Sequence, residues 1–131
     1  MNMEICFPGG KKVEATYKGY TTITDQPTHA GGNGSALEPF SLFLVSIGTC
    51  TGFYVLSFCQ KHDIPTKDIG LVLTTEQNDE THLITNITIE IKIPKEFPEQ
   101  YKNAVIKAAE SCAVKKQLDH PPQFTIHVVQ K

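Results

Sequence analysis

Two cysteines lie in segments whose patterns predict helices, and both could do chemistry. Cys50 interrupts a long apolar run that begins at Pro39, and Cys112 follows a stretch in which apolar residues recur with helical spacing. Two thiols that approach each other can form a disulfide or exchange with one. Gly48 and Gly52 flank Cys50 closely, so a second group can come near it. Cys50 and Cys112 are therefore the candidate catalytic residues, and the chemistry they suggest is redox.

The other cysteines and the histidines give weaker signals. Cys59 follows Cys50 by nine residues, which places the two on opposite sides of a continuous helix. Cys59 and His62 form a Cys-x-x-His pair, but no second pair with zinc-ligand spacing follows, so we expect no metal site. Cys6 is expected to pack on a strand. His29, in the loop before the Cys50 helix, is kept as a possible supporting residue.

The composition limits the classes of protein that need consideration. The 131 residues suit a single domain, 1–131. A net charge of −2 and a pI near 6.2 provide no basic surface, so nucleic acid is not an expected partner. The N-terminus has no secretory pattern, which predicts a cytoplasmic protein with free cysteines.

The apolar run from Pro39 to Gln60 is long enough to cross a membrane. It contains several serines and threonines as well as two central glycines, and no basic cluster flanks its N-terminal side. A buried core helix is therefore favoured, and no membrane partner is expected.

The elements that position the cysteines follow from periodicity and turn residues. Three antiparallel strands are predicted at residues 3–7, 13–17 and 20–24. Residues 25–36 are rich in glycine and are interpreted as a flexible connector. A helix apolar on every face is predicted over residues 39–62.

The second half of the chain is predicted to add a hairpin, two helices and a last strand. The hairpin arms are residues 69–76 and 82–93, with isoleucines alternating along the second arm. Pro98 opens a helix, and Ser111 caps a second short helix over residues 112–118. A strand with apolar residues at alternate positions ends the chain at Phe124, Ile126 and Val128. The order is βββαββααβ, and the fold class is α+β.

The sequence resembles the OsmC/Ohr family of osmotically induced and organic hydroperoxide resistance proteins. The resemblance rests on Thr24-Asp25 before a Gly-Gly loop, on the stretch from Pro39 to Cys50, and on the residues around Cys112, where Ala113 stands at the family's usual proline. It spans nearly the whole chain.

The resemblance implies an intertwined homodimer in which antiparallel sheets wrap around the long central helices. It also implies that Cys50 attacks an organic hydroperoxide, that Cys112 resolves the product, and that an external dithiol completes the cycle without a bound cofactor. The family's peroxidases use an arginine held by a glutamate directly after the motif proline. This chain has no arginine and carries Phe40 at that position, which leaves Glu38 as a possible supporting residue.

Two functions are consistent with these residues. The first is a thiol-dependent peroxidase acting on organic hydroperoxides or a related electrophile. The alternative is a weakly active or non-catalytic dimer that binds a small apolar ligand at its subunit interface, which the missing arginine favours.

Overall fold

A computed structural model describes residues 1–131, which divide into two compact units, Met1–Val45 and Ser46–Lys131. The element order is three strands, a long helix, two strands and two short helices, with two single 3-10 turns. The α+β class and the antiparallel sheets agree with the prediction. The single domain over 1–131 stays a prediction.

The first unit contains a three-stranded antiparallel meander in the order β1 (Glu4–Gly9), β2 (Lys12–Tyr17) and β3 (Tyr20–Thr24). Lys18 and Gly19 both have positive φ angles, 52° and 80°. A two-residue turn of this kind matches the twist of the strands that it joins, and glycine adopts it without strain. The three predicted strands are confirmed to within a few residues.

The loop after β3 is not the flexible connector that its glycines suggested. The buried Asp25 carboxylate accepts hydrogen bonds from the backbone N–H groups of Gln26 (2.8 Å), Ser35 (3.1 Å) and Asn33 (3.2 Å), and from the Ser35 hydroxyl (2.6 Å). A Cβ on Gly32 would lie 2.0 Å from the Gln26 carbonyl oxygen, so only glycine fits. One carboxylate thus orders the loop.

Helix α1 (Pro39–Lys61) is long and apolar enough to cross a membrane by length and composition alone. The core helix of a soluble protein meets the same criterion. Within the chain it buries one stripe, Ile47, Thr51, Val55 and Cys59, at intervals of four residues. Other α1 side chains such as Phe53 are exposed in the single chain. A helix surrounded by protein on all sides, with a partner subunit covering part of it, stays a prediction.

The second unit packs this stripe against a hairpin and two helices. Strands β4 (Gly70–Gln77) and β5 (Ile84–Lys92) pair antiparallel, with Leu73 opposite Ile89. Its buried apolar cluster contains Val55, Cys59, Ile64, Phe97 and Val105.

Helices α2 (Lys102–Ala109) and α3 (Ala113–Asp119) differ in detail from their predictions. The helix predicted to open at Pro98 begins as a 3-10 turn over Glu99–Tyr101 and ends before Cys112. Cys112, not Ser111, is the N-cap of α3.

The last predicted strand is not formed in the single chain. Residues 121–131 contain no strand, and Phe124, Ile126 and Val128 are 85%, 94% and 95% exposed. A strand needs a neighbour for its backbone groups, and no strand of this chain pairs with the segment.

Candidate active site

The structure brings Cys50 and Cys112 together in the second unit. Cys50 is half-buried on α1, and Cys112 is 1% exposed in the turn between α2 and α3. The Cys50 side chain is close enough to the Cys112 sulfur to lower the pKa of Cys112, and both residues are free thiols. The two residues bring α1 close to the α2–α3 turn, which lies far from it in the sequence. Whether the pair is catalytic stays a prediction.

The backbone around Cys112 explains why its sulfur meets polar groups. The N–H of Cys112 donates to the Ala109 carbonyl (3.3 Å), which closes α2, and its own carbonyl accepts the N–H of Lys116 (3.1 Å), which opens α3. Ala113 is the first residue of α3, a position where proline costs least. Cys112 therefore sits at the start of a helix whose first amides lack carbonyl partners.

Several effects set the pKa of Cys112, and they oppose each other. Burial of the sulfur raises the pKa. The N–H of Lys115, the Cys50 thiol, the Thr51 hydroxyl and the N–H of Val114 lower it and outweigh burial, so the pKa lies below its usual value. The Cys112 side chain forms no capping hydrogen bond, and the amides at the start of a helix favour a negative charge nearby.

Thr51 belongs to this group, although no sequence pattern marked it as a site residue. The side chain is 6% exposed, and its hydroxyl donates to the Ile47 carbonyl (2.8 Å). The sequence signal that could have identified it is a threonine at the spacing of the apolar residues Ile47, Val55 and Cys59. Sequence spacing alone could not show that the α2–α3 turn reaches it.

A cavity of about 640 Å³ adjoins Thr51 in the second unit. Its wall is mostly apolar, with Ile87, Ile89, Ile91 and Ile93 from the hairpin, and it includes charged side chains from the region of the short helices. An apolar cavity with a few polar groups is a common form of small-molecule site.

Glu38 and His29 lie in the first unit and interact with each other. The Ser41 hydroxyl donates to the Glu38 carboxylate. This bond lowers the pKa of Glu38, as does the backbone N–H of Glu38; partial burial raises it, and the nearby His29 lowers it further. Glu38 precedes the first residue of α1, where a carboxylate stabilises the exposed amides. Its observed contacts belong to the start of the helix.

The two remaining cysteines lie in different surroundings. Cys59 is fully buried in the core, and burial raises its pKa. Desolvation and the carboxylates of Glu14 and Glu4 raise the pKa of the exposed Cys6. No group of three or more metal-ligating side chains surrounds Cys59 and His62. Neither cysteine is favoured as a thiolate.

Comparison with known proteins identifies relatives through the family and the fold. The family model for OsmC-like protein matches residues 32–127. Among curated proteins, no sequence matches the chain.

Solved structures with the same fold include an osmotic stress induced and detoxification response protein from Psychrobacter arcticus, 18% identical, covering 89% of this chain and 87% of that one, with a TM-score of 0.74. An OsmC-like protein from Mycoplasma pneumoniae is 12% identical, with coverages of 92% and 87% and a TM-score of 0.68. A protein from Vibrio cholerae that is named for organic hydroperoxide resistance, with captopril bound in one of its active sites, is 16% identical, with coverages of 92% and 86% and a TM-score of 0.56.

These identities are low enough to speak for the fold alone. The family model, however, covers more than half of the chain and includes both cysteines of the pair. The chain therefore belongs to the family of OsmC-like proteins.

Proposed function

We propose that this protein is a thiol-dependent peroxidase that reduces organic hydroperoxides through Cys50 and Cys112. The observation that carries the proposal is the proximity of the Cys50 side chain to the buried Cys112 sulfur. Proteins named for organic hydroperoxide resistance share the fold, which supports the substrate class.

The proposed reaction uses each sulfur once. The Cys50 sulfur attacks one peroxide oxygen, the O–O bond breaks, and the departing alkoxide takes a proton to become an alcohol. Cys50 is then a sulfenic acid. The Cys112 sulfur attacks it, water leaves, and a disulfide forms. An external dithiol restores both thiols by exchange and is itself oxidised to a disulfide.

The position of each sulfur supports this division of roles. Cys50 is half-buried, so a peroxide can reach it. Cys112 is 1% exposed and lies on the buried side of Cys50. A resolving thiol beside the attacking one competes well with a second peroxide molecule, which would over-oxidise Cys50. No bound cofactor takes part.

The test is consumption of cumene hydroperoxide in the presence of a dithiol. Native protein is expected to turn over and to form a Cys50–Cys112 disulfide, detected by mapping of alkylated peptides. Cys50→Ser removes the attacking sulfur and is expected to abolish turnover, whereas Cys6→Ser, which alters an exposed cysteine on β1, serves as the matched control. Native turnover no faster than that of Cys50→Ser would rule out the peroxidase.

A second function, binding of a small apolar ligand, is favoured by the isoleucine-lined cavity of about 640 Å³. The chain also lacks arginine, so no guanidinium stabilises an attacking thiolate. Native mass spectrometry distinguishes the two functions. A copurified apolar ligand together with peroxide-inert cysteines supports binding, and an unliganded protein with peroxide turnover supports the enzyme.

The proposed assembly is a homodimer, and burial in the single chain supports it. Only seven apolar side chains are buried, while large apolar side chains on β1, α1 and the C-terminal segment are exposed. Exposed apolar surface of this extent is typical of an interface between subunits. Family membership supports a soluble protein, and we place it in the cytoplasm, where free cysteines are usual.

A further inference from the structure

The loop between β3 and α1 contains a pair of neighbouring residues that can react with each other. Asn33 is followed by Gly34, whereas each of the other four asparagines of the chain precedes a residue with a side chain. The backbone nitrogen that follows an asparagine can attack the side-chain amide, and glycine allows this attack best because it has no Cβ in the way. The Asn33 side chain is exposed to water. The pair therefore has the residue types and the solvent access that deamidation requires.

In the folded loop, hydrogen bonds hold the attacking nitrogen and the amides on either side of it. The N–H of Gly34 donates to the Gln26 carbonyl (3.0 Å). The N–H groups of Asn33 and Ser35 donate to the Asp25 carboxylate at 3.2 Å and 3.1 Å. The Ser35 hydroxyl donates to the same carboxylate at 2.6 Å. Three successive amides are thus fixed, and the Gly34 nitrogen keeps the proton that it must lose before it can attack.

We propose that Asn33 is a deamidation site controlled by the Asp25 carboxylate, protected while the loop is closed and reactive when the loop opens. Opening breaks the four hydrogen bonds and frees the Gly34 amide. The rate of modification is then the rate in a flexible chain multiplied by the open fraction of the loop. The inference is independent of the proposed peroxidase, since these groups lie in the first unit and the cysteine pair lies in the second.

The reaction needs only water and balances without a cofactor. A base removes the Gly34 amide proton, and the nitrogen attacks the side-chain carbonyl carbon of Asn33. A new C–N bond forms, the bond from that carbon to the side-chain nitrogen breaks, and ammonia leaves with a proton from solvent. Water then opens the cyclic imide at either carbonyl, which gives aspartate or isoaspartate. The chain gains one carboxylate, and no group is oxidised or reduced.

The product opposes closure of the loop in two ways. The new carboxylate stands on a residue whose backbone N–H contacts the Asp25 carboxylate, and like charges repel at this range. Isoaspartate also adds a methylene to the main chain between residues 33 and 34, so the three amides lose the spacing of their acceptors. Because the N–H of Asp25 donates to the Leu37 carbonyl (3.3 Å), the modification also loosens the segment that leads into α1.

The test is peptide mapping by mass spectrometry, which measures the rate of deamidation at each asparagine at fixed pH and temperature. Native protein is expected to react at Asn33 more slowly than the urea-unfolded chain by a factor of about ten or more. Asp25→Ala removes the acceptor and Ser35→Ala removes one donor. Each is expected to react about tenfold faster than native protein, because a hydrogen bond to a charged group favours closure by about this factor.

Ser111→Ala, the same substitution in the second unit, is the matched control, and Val105→Ala, which truncates a buried side chain there, controls for general destabilisation. Both are expected to react at Asn33 at the native rate while circular dichroism shows them folded. Ser35→Ala alone decides the outcome if Asp25→Ala fails to fold.

Three results would overturn the proposal. Absence of deamidation at Asn33 in urea rejects the site, and equal rates in native and urea-unfolded protein reject its protection. A native rate in the folded loop variants, or equal acceleration in Val105→Ala, rejects control by Asp25.

Discussion

At the residue scale, single side chains impose order that their neighbours in sequence do not reveal. The Asp25 carboxylate binds three backbone amides and one hydroxyl of a glycine-rich loop, and the Thr51 hydroxyl lowers the pKa of Cys112 in a turn distant in sequence. Both side chains are buried polar groups with partners, as buried polar groups usually are. A carboxylate among amide donors is stabilised in its charged form, so its protonation is coupled to folding.

Asp25 is expected to make stability depend on pH in a defined window. The Ser35 hydroxyl, followed by the amides around it, lowers the pKa of Asp25 from 3.8 to about 2. Between these values the folded protein binds fewer protons than the unfolded chain, so this stabilisation is present above about pH 4 and is lost as the pH falls toward about 2. Urea unfolding of native protein and Asp25→Asn measures it.

Asp25→Asn is expected to be less stable at neutral pH, with a difference from native protein that shrinks as the pH falls through this window. Asp79→Asn, at an exposed position in the β4–β5 turn, is the control and is expected to unfold like the native protein. A difference between Asp25→Asn and native protein that stays constant down to about pH 2 would contradict the assignment.

At the element scale, structure that depends on neighbouring residues was predicted from the sequence, whereas structure that depends on distant residues was not. The first three strands follow from alternation and from the Lys18–Gly19 turn, which are properties of neighbouring residues. The start of α3 moved by one residue because Cys112, with extended backbone, takes the N-cap position. The order of residues 25–36 depends on a carboxylate whose partners lie up to ten residues away. The contact between Cys50 and Cys112 was foreseen from residue type, but Thr51 was not.

Ser111→Ala tests the corrected cap of α3. The Ser111 hydroxyl faces the Lys107 carbonyl at 3.4 Å and caps nothing in α3. Its removal is expected to change the free energy of unfolding by less than about 0.5 kcal/mol, whereas loss of a true serine N-cap costs about 1 kcal/mol. Thermal unfolding by circular dichroism measures the difference, and a loss of about 1 kcal/mol or more would restore Ser111 as the cap.

At the scale of the whole molecule, the apolar residues of the C-terminal segment are not buried in the single chain. Phe124, Ile126 and Val128 alternate with polar residues as in a half-buried strand, yet all three are exposed. The sequence predicted the strand, but no strand of this chain pairs with the segment. Under the proposed assembly, the segment pairs with the second subunit.

Ile126→Asp is expected to weaken the homodimer, because a carboxylate would replace an apolar side chain in the subunit contact. Thr125→Asp places the same charge on the opposite face of the predicted strand and is the matched control. Sedimentation equilibrium is expected to detect monomer for Ile126→Asp at concentrations where native protein and Thr125→Asp remain dimeric. Equal dimer content in both variants would exclude the segment from the interface.

The small buried core of the single chain bears on how the folded fraction of the protein depends on its concentration. When folding includes association, mass action makes the free energy of folding depend on protein concentration, so a dilute chain is less stable than a concentrated one. With seven buried apolar side chains per chain, much of the stability would come from the partner. In the proposed homodimer, the folded fraction would rise with the amount of protein made, and increased synthesis would yield more than a proportional increase in folded molecules.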